Sequence, residues 1–294
     1  MKWQHADKEK WFNEQKIKRS YQDEVVSKIQ KLSNKFDVLS YGSLSQNPSR
    51  YPLYIIKSKN YDASRKTVLI TGGVHGYETS GVHGALEFFF KAVFEFDSVF
   101  NFVCAPCISP WAYETINRWN AKAIDPNRSF HPESPAEECS LFLKAIRDVK
   151  PFVHFDLHET TDTDNTVFRP ALEQRDGVKQ ELWPIPDGFY VVGDSDNPQP
   201  EFQKAIIDSV RKVTHIAPAD ENGKIIGDKV EQEGVINYPV KTLFLCAGFS
   251  DARFTTTTEV YPDSPKITDK ICVEAQVTAI TGGLDWVKKI RSEC

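Results

Sequence analysis

The sequence predicts an α/β protein with a mixed, mostly parallel central sheet that is flanked by helices on both faces. Short apolar runs of strand type alternate along the chain with segments whose apolar residues recur at helical spacing. The 294 residues contain no internal repeat, low-complexity tract or break in composition. A chain of this length is still within reach of one hydrophobic core, so we expect a single domain over 1–294.

The elements follow in order from these patterns. A first helix is predicted over 21–35, where apolar residues recur every three or four positions from Val25 to Leu32. Gly and Pro punctuate the later elements, and the segments 109–135 and 160–188 are expected to be mostly loop. The other predicted helices are 80–94, 136–149, 201–213 and 264–290. The predicted strands are 36–41, 53–57, 68–71, 100–108, 152–157, 189–192, 241–246 and 254–260.

Charge and composition exclude several classes of function. The formal net charge of −5 and the pI near 5.9 leave no basic surplus for a phosphate backbone, so nucleic acid is not an expected partner. The first twenty residues are charged throughout and lack the apolar core of a signal peptide. No later run approaches the roughly 20 apolar residues that span a bilayer. We therefore expect a cytoplasmic protein with no membrane partner and reduced cysteines.

Cys104 and Cys107 form a C-x-x-C pair, a spacing that elsewhere binds zinc or exchanges disulfides. A redox pair of the thioredoxin type lies where a strand passes into a helix. The run 101–108 is instead typical of a buried strand, so two buried thiols are the favoured interpretation.

Three residues at predicted strand ends suggest a metal site. His75 and Glu78 lie three positions apart on a turn that enters a helix, so their donor atoms can face one point. His158 ends a strand of buried type, where the ligand sites of open α/β sheets gather. Two His and one Glu leave a fourth position for water, as in catalytic zinc sites. Each piece also has a structural explanation when it is taken alone. His75 and Glu78 could be a surface histidine beside a glutamate that starts a helix, and His158 could be a hydrogen-bonded histidine at a strand edge.

A loop with two arginines is the next feature. Arg118 precedes the run that contains Asp125, Asn127 and Arg128. The guanidinium fork matches a carboxylate bidentately, so this loop is suited to grip one. A solvated basic loop is the alternative, which Asp125 and the apolar Phe130 disfavour.

In this order the motifs resemble those of the zinc carboxypeptidase A-like family, over 75–259. The matching pieces are H-x-x-E at 75–78, R-x-N at 118–120, D-P-N-R-S-F at 125–130, D-L-H at 156–158 and T-T-T-T-E-V at 255–260. The resemblance implies that family's fold and one zinc ion per chain, bound by His75, Glu78 and His158. It also implies that Asp125 accepts a hydrogen bond from the far nitrogen of His75.

The same resemblance implies roles around the substrate, a peptide with a free carboxylate. Arg118 would polarise the scissile carbonyl, while Asn127 and Arg128 would hold the terminal carboxylate. Glu259 would be the general base. Tyr238 is the best candidate by spacing for the family's mobile capping tyrosine, although the N-Y-P-V around it differs from the family pattern.

One departure keeps a second function open. Tyr77 stands directly before Glu78, where the digestive enzymes of the family have arginine. The run G-G-V-H-G-Y-E-T is closer to the succinylglutamate desuccinylase and aspartoacylase branch, which cleaves acyl groups from amino acids. A metallocarboxypeptidase is therefore the first hypothesis and an N-acyl amino acid amidohydrolase the second. A catalytically inactive binding module is disfavoured by the complete donor set and Glu259.

Selectivity is harder to predict. Asp162 or Asp164 would favour a positively charged substrate if either faced the cleft, although a solvated acidic turn is an equal interpretation. The residues suspected of sorting side chains are Phe244, Ala247, Phe249 and Thr257. Strand alternation should point Glu159 away from the metal.

Overall fold

A computed structural model describes residues 2–292 of the chain. The strands are β1 (Phe36–Ser43), β2 (Pro52–Ser58), β3 (Lys66–Gly72), β4 (Phe100–Ala105), β5 (Pro151–Glu159), β6 (Tyr190–Asp194), β7 (Lys224–Ile225), β8 (Asp228–Lys229), β9 (Val235–Tyr238) and β10 (Phe254–Val260). The α-helices are α1 (His5–Glu14), α2 (Ser27–Lys31), α3 (Thr79–Lys91), α4 (Pro110–Thr115), α5 (Glu137–Ala145), α6 (Arg169–Asp176), α7 (Pro200–Val210) and α8 (Asp269–Ser292).

Eight strands form the central sheet in the order β1-β2-β4-β3-β5-β10-β6-β9. The pairs β4/β3, β3/β5, β5/β10 and β6/β9 are parallel. The pairs β1/β2, β2/β4 and β10/β6 are antiparallel. The mixed, mostly parallel sheet is therefore confirmed. The parallel group β3, β5 and β10 lies at its centre, so the carboxyl ends of these strands meet at one edge.

Both faces of this sheet are covered by helices, because its central strands are apolar on both sides. In β3, Val68 and Ile70 belong to the larger apolar cluster, which contains residues of α3 and α8. Leu69, between them, belongs to the second cluster with Phe142 of α5. All of these side chains are fully buried. The alternation follows from the two-residue repeat of a strand.

The predicted strand over 241–246 is wrong. This segment forms turns that lead into a 3-10 turn at Cys246–Gly248, and Phe244 takes a left-handed φ of 53°. Leu245 is buried among loop residues such as Val240, whereas Cys246 packs onto a face of the central sheet without being part of a strand. The neighbour of β6 on its outer side is instead β9.

Three helices lie where the sequence predicts no helix. The segment 160–188 contains α6, the segment 109–135 contains α4, and α1 precedes the first predicted element. Neither α1 nor α6 buries a single residue. Their sequences therefore lack the apolar stripe by which an amphipathic helix is recognised.

The C-x-x-C pair is buried, as expected. Cys104 lies in β4, which ends at Ala105, and Cys107 follows it. Burial raises the pKa of both thiols, that of Cys107 to about 12. All five cysteines between residues 2 and 292 are free. With pKa values raised in this way, Cys104 and Cys107 carry little of the thiolate form that redox exchange needs at neutral pH.

None of the helices in the described part of the chain combines the length and the apolar character needed to cross a lipid bilayer.

Candidate metal centre and cleft

Two neighbouring strand ends bring the three predicted metal donors together. β3 leads into the turn that carries His75 and Glu78, and His158 lies at the end of the adjacent β5. The Nδ1 atoms of His75 and His158 lie 2.7 and 2.8 Å from the same atom, Oε1 of Glu78. All three side chains are buried. Their donor atoms lie within 4.8 Å of one another, so the group could hold a metal ion.

Each histidine is held on its far nitrogen by a carboxylate. Nε2 of His75 lies 3.0 Å from Oδ1 of Asp125, and Nε2 of His158 lies 2.8 Å from Oδ2 of Asp156. A far nitrogen that donates its hydrogen to a carboxylate leaves Nδ1 unprotonated and able to bind a metal. The donor set therefore fits a metal ion that takes nitrogen and oxygen ligands.

Asp156 is a site residue that the sequence reasoning missed. The signal was present, because residues 156 and 158 lie two apart in a strand and project from the same face. Thr71 of the neighbouring strand donates a hydrogen bond of 2.6 Å to its other oxygen. Burial alone would raise the pKa of Asp156, but His158 and the hydrogen bonds hold it below the usual value.

The electrostatics of the centre are those of a cation site. Burial alone would raise the pKa of Glu78, yet His158 and His75 lower it. Burial opposes ionisation of Asp125 as well, and Arg118 and His75 hold its pKa well below the usual range. Ionised carboxylates thus converge on the two imidazoles. A bound cation would favour the same ionised carboxylates and would take the place of the protons on the two Nδ1 atoms.

The turn that carries His75 is fixed by its neighbours. A Cβ on Gly76 would lie 1.9 Å from the carbonyl carbon of Ala112, so this position requires glycine. Arg19 donates to the carbonyl oxygen of Gly76 and, at 2.7 Å, to Oγ1 of Thr79. Arg19 therefore stabilises the turn through hydrogen bonds to two of its residues. The sequence gave no indication of this role.

Arg118 is held at the edge of the donor group. Its Nε lies 3.2 Å from Oδ2 of Asp125, and its Nη1 lies 3.0 Å from the Tyr77 hydroxyl and 3.2 Å from Oδ1 of Asp164. The guanidinium carbon lies 4.2 Å from the ring centre of Phe168. Contacts from these four side chains fix the orientation of the guanidinium fork.

A cavity of about 690 Å³ opens over the donors. All nine predicted site residues line it: His75, Glu78, Arg118, Asp125, Asn127, Arg128, His158, Tyr238 and Glu259. The structure therefore brings into one cleft residues that the sequence separates by up to 184 positions, from 75 to 259.

Glu259 and Glu159 lie at the ends of adjacent strands, but their carboxylates have different hydrogen-bond partners. Glu259 of β10 is paired with His158 in the sheet, and its Oε2 accepts a hydrogen bond of 2.8 Å from Thr160. Burial raises the pKa of Glu259 to about 7. Glu159 instead accepts hydrogen bonds from the backbone N–H groups of Thr79 and Ser80, at the start of α3. Burial raises the pKa of Glu159 to about 7 as well, but both of its oxygens are occupied by these backbone donors.

The three predicted substrate-binding residues line the same cleft but differ in burial and in hydrogen bonding. The side-chain oxygen of Asn127 accepts a hydrogen bond of 2.8 Å from the backbone N–H of Cys246. Arg128 is exposed, and its Nη1 donates to the carbonyl of Asn127. Tyr238 is half-buried at the end of β9, and burial raises the pKa of its hydroxyl.

Comparisons with known proteins find similar structures but no similar sequences. The sequence matches no family model and no curated protein. The structure matches a predicted metallopeptidase from Shewanella amazonensis with a TM-score of 0.67 and 18% identity, over 89% of this chain and 90% of that one. It also matches a metallo-carboxypeptidase from Burkholderia cenocepacia, with a TM-score of 0.62 and 13% identity, over 98% and 70% of the two chains.

A third similar structure is a metallo-carboxypeptidase from Pseudomonas aeruginosa in complex with (2-guanidinoethylmercapto)succinic acid. Its TM-score is 0.61 and its identity 12%, over 90% of this chain and 68% of that one. The chain has the zinc carboxypeptidase fold. At these identities the likeness establishes the fold, and the activity has to be argued from the site.

Within this carboxypeptidase fold, three of the four suspected selectivity residues do not line the cavity. Thr257 does, whereas Phe244, Ala247 and Phe249 do not. The ring of Phe244 lies 4.6 Å from that of His131, and Phe249 stacks on the ring of Phe130. Phe244 lies in the segment 241–246, which forms a loop rather than the predicted strand.

The acidic turn after His158 does not supply a free negative charge to the cleft. Asp162 is exposed, accepts a hydrogen bond from Tyr261 and does not line the cavity. Asp164 does line it, but its carboxylate contacts Arg118. The acidic turn therefore gives no basis for selecting a positively charged substrate.

Proposed function

We propose that this protein is a zinc metallocarboxypeptidase that hydrolyses the C-terminal peptide bond of a peptide. The observation that carries the proposal is the convergence of His75 and His158 on one oxygen of Glu78, in a cleft that also contains Arg128 and Glu259. A zinc ion bound by these donors supplies a Lewis acid that lowers the pKa of a water molecule and polarises a carbonyl.

The residues around the donors have complementary tasks. Arg128 and Asn127 bind the α-carboxylate of the substrate through charge-assisted hydrogen bonds. Arg118, already oriented by Asp125 and Tyr77, directs its remaining N–H groups at the carbonyl oxygen as that oxygen becomes negative.

Glu259 moves the proton in this proposal. Its Oε2 accepts a hydrogen bond from Thr160, so Oε1 is the atom that takes a proton from the attacking water. The same atom returns that proton to the leaving amine, which restores the carboxylate at the end of the cycle.

An N-acyl amino acid amidohydrolase is the second candidate. It is favoured by Tyr77, which stands where the digestive carboxypeptidases have arginine. The size of the cleft favours the peptidase. A further cavity of about 740 Å³ adjoins the first, and Tyr77, Arg118 and Phe168 line both. This second cavity gives room for the upstream residues of a peptide, which an acyl amino acid lacks.

A series of substrates of increasing length decides between the two functions. The zinc-loaded protein is offered N-acetyl and N-succinyl amino acids, acyl-dipeptides and longer peptides, each as free acid and as C-terminal amide. A carboxypeptidase hydrolyses the free-acid peptides at least as well as the small acyl amino acids, and amides poorly. Hydrolysis of the small acyl amino acids alone would establish the amidohydrolase and exclude the peptidase.

The metal centre is tested independently of the substrate. We expect about one zinc ion per chain, and we expect the His158→Ala variant to lose it because a catalytic site has only three protein donors. Elemental analysis after dialysis measures both. His5→Ala, on the exposed face of α1, is the matched control and should keep its zinc. A fully loaded His158→Ala variant would remove His158 from the site.

A further inference from the structure

One side of the cleft carries cationic side chains that form no ion pair with any of residues 2–292. This side, here named the basic wall, consists of Lys2 and Lys8 from the N-terminal segment and Arg169 from α6, all of which line the 690 Å³ cavity. The N-terminal segment and α6 are joined by a hydrogen bond of 2.9 Å from the backbone N–H of Trp3 to the carbonyl of Arg175.

Arg169 is the most constrained of the three cations. Its Nη1 donates to the backbone carbonyl of Glu181 at 2.8 Å. Its Nε is shielded from solvent and has no hydrogen-bond acceptor among residues 2–292. Over the same residues, neither Lys2, Lys8 nor Arg169 has a carboxylate oxygen within the 4.0 Å of an ion pair. Lys2 and Lys8 help to lower the pKa of Asp176 through space, but the hydrogen-bonded partner of this carboxylate is Arg175.

The carboxylates of the cleft, by contrast, are all engaged. Asp125 and Asp164 bind Arg118, and Asp176 binds Arg175. Glu159 binds the start of α3 and Glu78 binds the histidines. Apart from the general base and Glu159, whose partners are backbone N–H groups, the charge that faces the cavity without an ion-pair partner among residues 2–292 is therefore positive. This is a local reversal, because the whole chain carries a formal charge of −5.

We propose that the substrate carries at least one negative group besides its α-carboxylate, so that this protein acts on acidic peptides. The inference rests on the proposed function. Arg169 is half-buried and its Nε lacks an acceptor, so an anionic group of the substrate would compensate the hydration that this guanidinium has lost. The exposed Lys2 and Lys8 add electrostatic attraction for the same group. Arg128 serves the α-carboxylate, so Lys2, Lys8 and Arg169 remain for the additional negative charge.

Matched peptides test this inference. Glutamate is compared with glutamine at the terminal, penultimate and third positions of otherwise identical free-acid peptides. At one or more of these positions, kcat/KM should be about tenfold higher for glutamate at low ionic strength. The preference should shrink as salt is added, because the interaction is electrostatic.

Variants then assign the preference to the basic wall. The Glu/Gln ratio should fall towards one in Lys8→Gln and in Arg169→Gln. Lys8 is exposed on α1, so its replacement does not disturb packing even if the half-buried Arg169 does not tolerate substitution. Lys10→Gln is the matched control, because Lys10 is exposed on the same helix and does not line the cavity. A ratio that survives in Lys8→Gln and Arg169→Gln alike would overturn the assignment.

The two proposals fail in different ways. A Glu/Gln ratio near one at every position, with neutral peptides still cleaved, would overturn the acidic preference and leave the carboxypeptidase intact. If no peptide is cleaved, calorimetric binding of the dipeptides Gly-Glu and Gly-Gln to the zinc-loaded protein decides. Tighter binding of Gly-Glu would support the inference, and equal binding would overturn it.

Discussion

The donor side of the cleft and the basic wall differ in what holds their side chains. On the donor side, strands β3, β5 and β10 present buried groups, each bound to another fixed group, as His158 is bound to Asp156. The three cations of the basic wall lie on the N-terminal segment and on α6, the helices α1 and α6 have no buried residue, and the cations form no ion pair within residues 2–292. The difference suggests that the sheet sets the chemistry and the periphery sets substrate choice. Substitutions on the donor side should therefore change metal content or kcat, and those on the wall should change selectivity.

The largest expected effect on turnover comes from Glu259→Gln. Glutamine keeps the shape and the hydrogen bond to Thr160 but cannot take a proton, so kcat should fall by roughly 10²- to 10⁴-fold while the zinc content stays unchanged. Steady-state kinetics measures kcat, and metal analysis of the same preparation measures the zinc content. A near-normal kcat would assign the base role to another group.

The pH profile gives a second measure of Glu259. Its pKa is raised by burial to about 7, and the base must be ionised to act. The kcat/KM of the parent protein should therefore fall as the pH drops below about 7, which gives the pH profile an acidic limb. A bound cation favours the ionised form of Glu259 and moves this limb to lower pH. In Glu259→Gln the residual activity should lack the limb. A limb that persists would belong to a different acid.

Arg128→Ala is expected to have the next largest effect. Loss of its bond leaves the α-carboxylate without a charged partner, which should cost about 2–4 kcal/mol in kcat/KM, roughly 30- to 1,000-fold, for free-acid peptides. The preference of the parent protein for free acids over amides should disappear. Lys122→Ala is the control, because Lys122 is an exposed cation of the same loop that does not line the cavity. An unchanged preference in Arg128→Ala would remove the proposed clamp.

Asp156→Asn should have a smaller effect, confined to the metal. Asparagine can still contact Nε2 of His158 but supplies no charge, so zinc affinity should fall by about 10- to 100-fold. Competition with a chelator of known affinity measures this. Asp125→Asn is the matched comparison, since Asp125 also binds Arg118 and its variant should lose turnover as well as affinity. An unchanged zinc affinity in Asp156→Asn would mean that His158 is oriented by the strand alone.

Sequence reasoning succeeded on the donor side because regular elements determine the site there. The carboxyl ends of parallel neighbours must meet, so His75 and His158 were placed together correctly from their positions after predicted strands. The same reasoning failed at the periphery. α6 is polar and follows a run of loop residues, and Lys2 and Lys8 have no feature that separates them from other surface lysines. Their place in the cleft depends on tertiary contacts, such as that of Trp3 with Arg175, which leave no local pattern.

Tyr77 lies where the two sides of the cleft meet, and its variant should have the smallest effect. The ring is parallel to that of His75 at 5.8 Å, on the donor side. Its hydroxyl contacts Arg118, and at 3.5 Å Asp164, which belongs to the segment that leads into α6. Phenylalanine would keep the ring and remove one acceptor from Arg118.

Because Asp164 still accepts from Nη1 of Arg118 and keeps the guanidinium paired, the loss in Tyr77→Phe should lie at the low end for a hydrogen bond from a charged donor, about 1.5 kcal/mol, or roughly 10-fold in kcat/KM. Zinc content should not change, since neither histidine loses a partner. Steady-state kinetics and metal analysis together test this. A loss of zinc would place Tyr77 with the donor side. A fall beyond 100-fold with zinc retained would mean that its hydroxyl acts directly on the substrate, and the division between a chemical side and a selective side would then fail at the residue that joins them.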